Sequence, residues 1–171
     1  TMKGFTSSGS ENIALDRHFL FISNHRDIAM DPVMIDYVLL KKRLPSFQVA
    51  FGDNLLRNKV VADAIRINKA FIVQRDVEPQ DQLRTSLHLS RYIHRTIQNK
   101  DSIWIAQREG RAKDGDDRTN PAIIKMLSLC NRQSGLTFSQ FINSLNIIPV
   151  AVSYEYDPCD RLKAREAARR M

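Results

Sequence analysis

Apolar residues gather in short runs that alternate with longer amphipathic segments along the whole chain. The runs His18–Ser23, Phe47–Phe51, Ala70–Gln74, Ser102–Gln107 and Ile147–Ser153 are short and rich in β-branched and aromatic residues, so they predict strands. Between them, Pro32–Lys42, Leu55–Ile65, Pro79–Gln98 and Pro121–Asn131 predict helices. In the third helix Leu83, Leu87, Ile93 and Ile97 fall broadly on one face, and Glu78-Pro79 is the start signal. Asn120-Pro121 supplies the fourth with an N-cap and a proline at its first position. Thr137–Leu145 and the segment from Pro158 onward add two short helices. Strands separated by helices predict an α/β domain with a mostly parallel central sheet flanked by helices. With no internal repeat and no linker, one domain over residues 1–171 is expected. The ends, TMKGFTSSGS and DRLKAREAARRM, read as those of a fragment of a longer chain.

In a parallel sheet of this kind, ligands sit beyond the carboxyl ends of the strands, where the following loops gather. The polar clusters occupy that place. SNHRD closes the first strand, GDN the second, QRD the third and QREGRAKDG the fourth. These charged loops are therefore expected to face one crevice.

Composition narrows the partners. A chain of 171 residues with 43% apolar and 26% charged residues can bury a sizeable core. No apolar run approaches the ~20 residues of a membrane-spanning helix. The net charge of +7 favours an anionic partner: a phosphorylated substrate, an anionic membrane face, an acidic carrier protein or nucleic acid. Nucleic acid has only charge in its favour, because the thirteen aromatic residues lie mainly in apolar runs and are not interleaved with arginines. Cys130 and Cys159 have no metal-ligand spacing and read as reduced thiols, and the four histidines form no HxxxH pair, so no metal site is expected.

The stretch NHRDIAMD, residues 24–31, shares three letters with a kinase catalytic loop. Such a loop needs an asparagine five residues after its aspartate, a DFG and a glycine-rich loop; Pro32 stands at the first position and the other motifs do not occur. Two readings remain on spacing alone. In one, His25 is a general base whose tautomer is held by Asp27 or Asp31. In the other, His25 is an ordinary turn residue and Asp31-Pro32 is an N-cap followed by the first helical position. The loop at residues 106–118 places Arg108, Arg111, Lys113 and Arg118 around two glycines, which suits a bidentately held phosphate as well as it suits a solvated surface loop. Arg75 ends an apolar strand, at the rim of the same crevice.

Taken in order, these stretches resemble the motifs of the glycerophospholipid acyltransferase family. The family's first motif is NH, four residues and an aspartate, which NHRDIAMD resembles at Asn24 and His25. Its second is a glycine, an apolar strand and a closing arginine, resembled by GDNLL with AFIVQR. Its third, EGTRS, is resembled by QREGRAKDG at Glu109 and Gly110, and its fourth by IIPVAVSYE with Pro149. The resemblance spans about residues 20–155 and implies a concrete chemistry. His25 would be the base that deprotonates an acceptor hydroxyl, an aspartate would orient it, and the hydroxyl would attack an acyl thioester of CoA or acyl carrier protein. The acceptor would be glycerol 3-phosphate or lysophosphatidate, with Arg75 binding its phosphate and Asn24, Glu109, Gly110 and Arg111 belonging to the substrate site. The resemblance implies no cofactor, no metal and no covalent acyl-enzyme, and a place at the cytoplasmic face of a membrane with an anionic surface, peripherally or through a segment outside this fragment.

The chain departs from the family pattern in two places. Asp31 lies six residues after His25 where the family spacing is five, and Met30 holds the family's aspartate position. Either the turn bulges so that Asp31 still reaches His25, or Asp27 takes the role, or the pair is absent. EGRAKDG is one residue shorter than the family's motif, and a deletion would place Arg111 on the arginine position. The altered histidine–aspartate spacing motivates an alternative on the same fold, a catalytically silent lipid-binding or membrane-associated module. The segment Pro32–Leu44 combines an apolar face with a basic end, which suits core packing with a solvated terminus more readily than membrane docking.

Overall fold

Side chains alternate across a strand, so a strand covered on both faces must be apolar on both. The first strand, β1 (Leu20–Ser23), does this: Leu20 and Ile22 enter one core, while Phe21 and the preceding Phe19 enter another. A computed structural model of the protein describes residues 4–53, 56, 59, 63, 69–75, 77–112 and 116–169. It shows a five-stranded sheet in the order β3-β2-β4-β1-β5, with every pairing parallel. The other strands are β2 (Phe47–Gly52), β3 (Ala70–Val73), β4 (Ser102–Ala106) and β5 (Ile147–Val150). The helices are α1 (Met30–Lys41), α2 (Gln82–Gln98), α3 (Ala122–Leu127), α4 (Phe138–Ser144) and α5 (Asp160–Ala168). The expected α/β class is the one found. The helix expected at Leu55–Ile65 lies mainly outside the described residues.

The strand order explains the two cores. From β1 the chain moves outward to β2 and β3, then returns to β4 and passes β1 to reach β5. Crossovers of one hand must change face when their direction reverses. Accordingly α1 packs Ile35 and Leu39 against Phe21, Phe47 and Trp104 on one side. On the other side, α2, α3 and α4 deliver Ile93, Ile97, Leu127, Phe141 and Leu145 to Leu20, Ile103 and Ile105. All five carboxyl ends therefore open at one edge of the sheet.

Several boundaries differ from the sequence expectation for local reasons. Helix α1 starts before Pro32, so Asp31 is not an N-cap. The N-cap position is Ala29, and Asp27, two residues earlier, caps the turn leading into the helix: its Oδ1 accepts from the backbone N–H groups of Ala29 and Met30, each at 3.0 Å. Helix α2 begins at Gln82, because Glu78 to Asp81 form a turn closed by the Asp81 N–H on the Glu78 carbonyl at 2.8 Å. Its buried face runs through Leu89, Ser90, Ile93, Thr96 and Ile97, and Leu83 is 62% exposed. Leu83 stands ten residues before Ile93, about 80° away around the helix. The buried hydroxyl of Ser90 is satisfied by donating to the Leu127 carbonyl at 2.7 Å and accepting from the Cys130 N–H at 3.1 Å. Helix α3 starts at Ala122 with Pro121, not Asn120, at the N-cap; Asn120 accepts from the Ala122 N–H at 3.0 Å one place earlier, and α3 tightens into a 3₁₀ turn at Ser128–Gln133. Helix α4 opens with a capping box between Thr137 and Gln140.

Two consequences are measurable. Asp27→Ala removes a cap and should lower stability by about 1 kcal/mol in urea denaturation. His94 stacks on the buried Phe141 ring, centroids 5.0 Å apart, and burial lowers its pKa. The neutral imidazole is the form the fold favours. Its stabilisation is present above the ordinary histidine pKa of about 6.5 and is lost as pH falls through the lowered folded value. His94→Phe should therefore flatten the loss of stability below pH ~6.5, as read from denaturation midpoints across pH.

Candidate active site

The loop after β1 brings together the histidine and both aspartates of NHRDIAMD. His25 is 7% exposed, and its Nδ1 lies 3.1 Å from Oδ2 of Asp31, a residue with no exposed surface. The same Oδ2 accepts the backbone N–H groups of Arg26 at 2.7 Å and Asp27 at 2.9 Å. The extra residue in the motif is thus absorbed by the turn. Asp27 reaches forward to the N–H groups of the helix start, and Asp31 reaches back to the N–H groups of the turn, an arrangement akin to a capping box. Of the readings open in the sequence, the geometry has Asp31 beside the imidazole and Asp27 at the cap. A carboxylate on Nδ1 fixes the proton there and leaves a lone pair on Nε2. Among the described residues no group bonds Nε2.

Neighbouring strands hold this loop in place. The Asn24 side chain spans to the segment after β5, donating from Nδ2 to the Val152 carbonyl at 2.8 Å and accepting the Val152 N–H on Oδ1 at 2.7 Å. Those bonds occupy the backbone of Val152, and β5 stops at Val150 instead of reaching Ser153. Both ends of the Asn24 amide are thereby used on the fold. Below the imidazole, the Trp104 ring meets it edge to face at 6.1 Å, and the indole N–H donates to Ser23 Oγ at 3.0 Å. From the loop after β4, the Ala112 N–H donates to the His25 carbonyl at 2.8 Å, and Asp117 accepts the His25 backbone N–H at 2.9 Å. Gln107 steadies Asp117, donating to its backbone carbonyl at 2.9 Å.

The remaining sequence candidates sit around this centre at different removes. Gly110 follows the exposed Glu109 and adopts φ +72, a left-handed conformation that favours glycine. Arg111 is half-buried with Nη2 4.0 Å from Glu166 of α5. Arg108 and Arg118 both turn toward Asp116, and Lys113 lies outside the described residues. Arg75 is exposed at the end of β3, its backbone N–H donating to Asp53 Oδ1 at 3.3 Å. Strand β3 is three places from β1 in the sheet, about 14 Å at ordinary strand spacing. The fold puts Arg75 on the same edge as His25 but not in contact with it.

Four residues beside the histidine loop had no place in the sequence reading. Tyr154 donates its hydroxyl to Asp31 Oδ1 at 2.8 Å. Its pKa is raised, first by burial and then by the hydrogen bond to Asp31 and the charges of Asp31, Asp27 and Asp157, so the phenol stays protonated. Lys163 of α5 is 2% exposed, and its ammonium donates to the Arg26 carbonyl at 2.5 Å and to Asp157. Asp157 also pairs with the Arg26 guanidinium. Asp117 completes the set. Tyr154 stands within IIPVAVSYE, the stretch that resembles the fourth motif, just past the strand that lies beside β1, but nothing there singled out the tyrosine itself. Nothing local marked Lys163, whose partners stand more than a hundred residues earlier or on its own helix entry.

Among the described residues no group of three or more His, Cys, Asp and Glu side chains is arranged to hold a metal ion, and no helix is long and apolar enough to cross a membrane. No curated protein matches the chain significantly. Against known families, residues 4–153 match the Acyltransferase family, and the matched span covers the whole sheet, the histidine loop, Arg75 and the Glu109-Gly110 turn. A buried histidine–aspartate pair at the carboxyl edge of a parallel sheet, within so complete a match, leaves one assignment: the chain belongs to the Acyltransferase family, that of the glycerophospholipid acyltransferases, and its general role is acyl transfer.

Proposed function

We propose that the protein moves a fatty acyl group from acyl-CoA or acyl carrier protein to the hydroxyl of glycerol 3-phosphate or lysophosphatidate, in phospholipid synthesis, with His25 as general base. The observation that carries this reading is the 3.1 Å contact between His25 Nδ1 and the buried Asp31, with Nε2 left to face a substrate. Nε2 takes the proton of the acceptor hydroxyl as its oxygen attacks the thioester carbonyl. The tetrahedral intermediate then expels the thiolate, which recovers that proton from the imidazolium. Asp31 stabilises the imidazolium without itself being protonated. The steps balance with no covalent acyl-enzyme and no cofactor.

The acceptor's phosphate needs a cation. Among the described residues no carboxylate pairs with the Arg75 guanidinium, and Arg111 has only a distant partner in Glu166. Both suit a bidentate phosphate contact. Glu109 and Gly110 line the acceptor side, the glycine permitting close approach of the backbone. An anionic membrane surface as the place of work, at the cytoplasmic face, draws support from the net charge of +7 and from α1. Besides its buried Ile35 and Leu39, α1 presents Val33, Tyr37 and Leu40 outward on one face, ahead of Lys41, Lys42 and Arg43. The altered histidine–aspartate spacing motivates the alternative of a silent module; the contact from His25 to Asp31 supports the catalytic reading over it.

In a thioester-release assay with either donor and either acceptor, His25→Ala and Asp31→Asn should each lower kcat by about 10³–10⁴-fold, as loss of the base or of its tautomer control does elsewhere. Wild-type rates no higher than those of His25→Ala would sink the proposal. Arg75→Ala should raise the KM for a phosphorylated acceptor by about tenfold while the KM for the thioester stays put, which initial-rate kinetics separate. Equal effects on both constants would remove Arg75 from the phosphate site.

A further inference from the structure

We infer that Tyr154 is a positioning residue of the His25–Asp31 pair, delivered to it by a strap that runs from the end of β5 into α5. The inference rests on the catalytic reading of His25 above and deepens it. Tyr154 closes the IIPVAVSYE stretch that resembles the fourth motif, but it lies just past residues 4–153 matched to the family, and neither the resemblance nor the family match gives it or the rest of the strap a role.

The case begins with the hydrogen bonds of one carboxylate. Asp31 is wholly buried, and a buried charge must be bonded on both oxygens. Oδ2 has its donors in the motif itself: His25 Nδ1 and the N–H groups of Arg26 and Asp27. Tyr154 is the donor to Oδ1, at 2.8 Å. Its raised pKa keeps the phenol neutral, so the direction of this bond is settled: Tyr154 donates. A donor on Oδ1 fixes the carboxylate plane, which keeps Oδ2 aimed at the imidazole. It also draws charge away from the oxygen that faces Nδ1.

The strap fixes where that hydroxyl sits. Two residues on from Tyr154, the chain is exposed at Tyr156, and then Asp157 turns inward to bond both the Arg26 guanidinium and Lys163. Lys163 reaches from α5 to the Arg26 carbonyl at 2.5 Å. Arg26 is the residue between His25 and the cap Asp27, so the strap grips the histidine loop at its backbone and at its carboxylate. Burial of an ammonium is costly unless it is paired, and here it is paired on both sides. The charged groups facing the pair are therefore Asp27 and Arg26 from the loop, Asp117 from the loop after β4, and Asp157 with Lys163 from the strap.

Tyr154→Phe keeps the ring and removes only the donor. Asp31 then holds more charge toward His25, the acidic limb of the kcat/KM profile moves to higher pH, and kcat at neutral pH falls about tenfold with both KM values within about twofold. Fluorination of Tyr154 ortho to its hydroxyl makes it a stronger donor and moves the limb the other way. A readout that needs no turnover is the proton NMR resonance of His25 Nδ1–H in the full chain: downfield in Tyr154→Phe, upfield on fluorination. Opposite shifts in the two proteins support the positioning role even if the wild type transfers no acyl group, an outcome that defeats the proposed function alone. An active enzyme whose resonance and pH limb stay unchanged in both proteins overturns the positioning role and leaves the proposed function standing. Should Tyr154→Phe fail to fold, the fluorinated protein decides by itself, by its shift or the lack of one.

Discussion

The arrangement of this protein depends on one buried carboxylate. Asp31 has no exposed surface, and a carboxylate in that position is tolerated only when donors surround it. It gathers the backbone N–H groups of Arg26 and Asp27, the imidazole of His25 and the phenol of Tyr154. Meeting that demand shapes the whole loop between β1 and α1. The turn closes on Oδ2, the helix start is capped separately by Asp27, and His25 is left with one nitrogen committed and one available. On the proposed reading, the electrostatic requirement of a folded core and the requirement of a general base are satisfied by the same atoms.

The sheet makes this possible at a distance. Strand β1 lies between β4 and β5, so the loops that follow those two strands flank the histidine from either side. The β4 loop bonds the His25 backbone through Ala112 and Asp117, and the β5 segment bonds Asn24 through Val152 and Asp31 through Tyr154. Arginines are spread more widely along the same edge. Arg108 and Arg111 belong to the loop next to β1, whereas Arg75 stands at the far strand β3. On the proposed reading, an acceptor's hydroxyl and its phosphate are bound by different strands, so the spacing of the sheet itself sets how the acceptor must lie.

The motif's unusual spacing also has a physical account. One more residue between histidine and aspartate would carry the carboxylate about 100° further around a continuous helix. The chain avoids this because the residues from Arg26 to Ala29 are a turn, and α1 begins only at Met30. The added residue lengthens the turn, and Asp31 returns to the imidazole from the first helical turn. A cost in turn geometry is offset by four hydrogen bonds around Asp31. Arg111 shows the complementary case: in the shortened loop after β4 it turns toward Glu166 on α5.

By itself the sequence determined the class of fold, the strands to within a few residues and the edge at which the polar post-strand loops gather. Those depend on local periodicity and on short-range signals such as the Thr137–Gln140 capping box, which neighbouring residues settle among themselves. It also marked His25 and offered Asp27 and Asp31 as partners, but it left the choice open, because both aspartates are good helix-start residues. Only the tertiary structure decided between them. The decision comes from burial, which sends Asp31 inward to meet donors from β1 and from beyond β5, and leaves Asp27 the cap. The same reason hid Tyr154 and Lys163: their partners lie 123 and 137 residues away, and no local pattern encodes a hydrogen bond that exists only once β5 has docked beside β1.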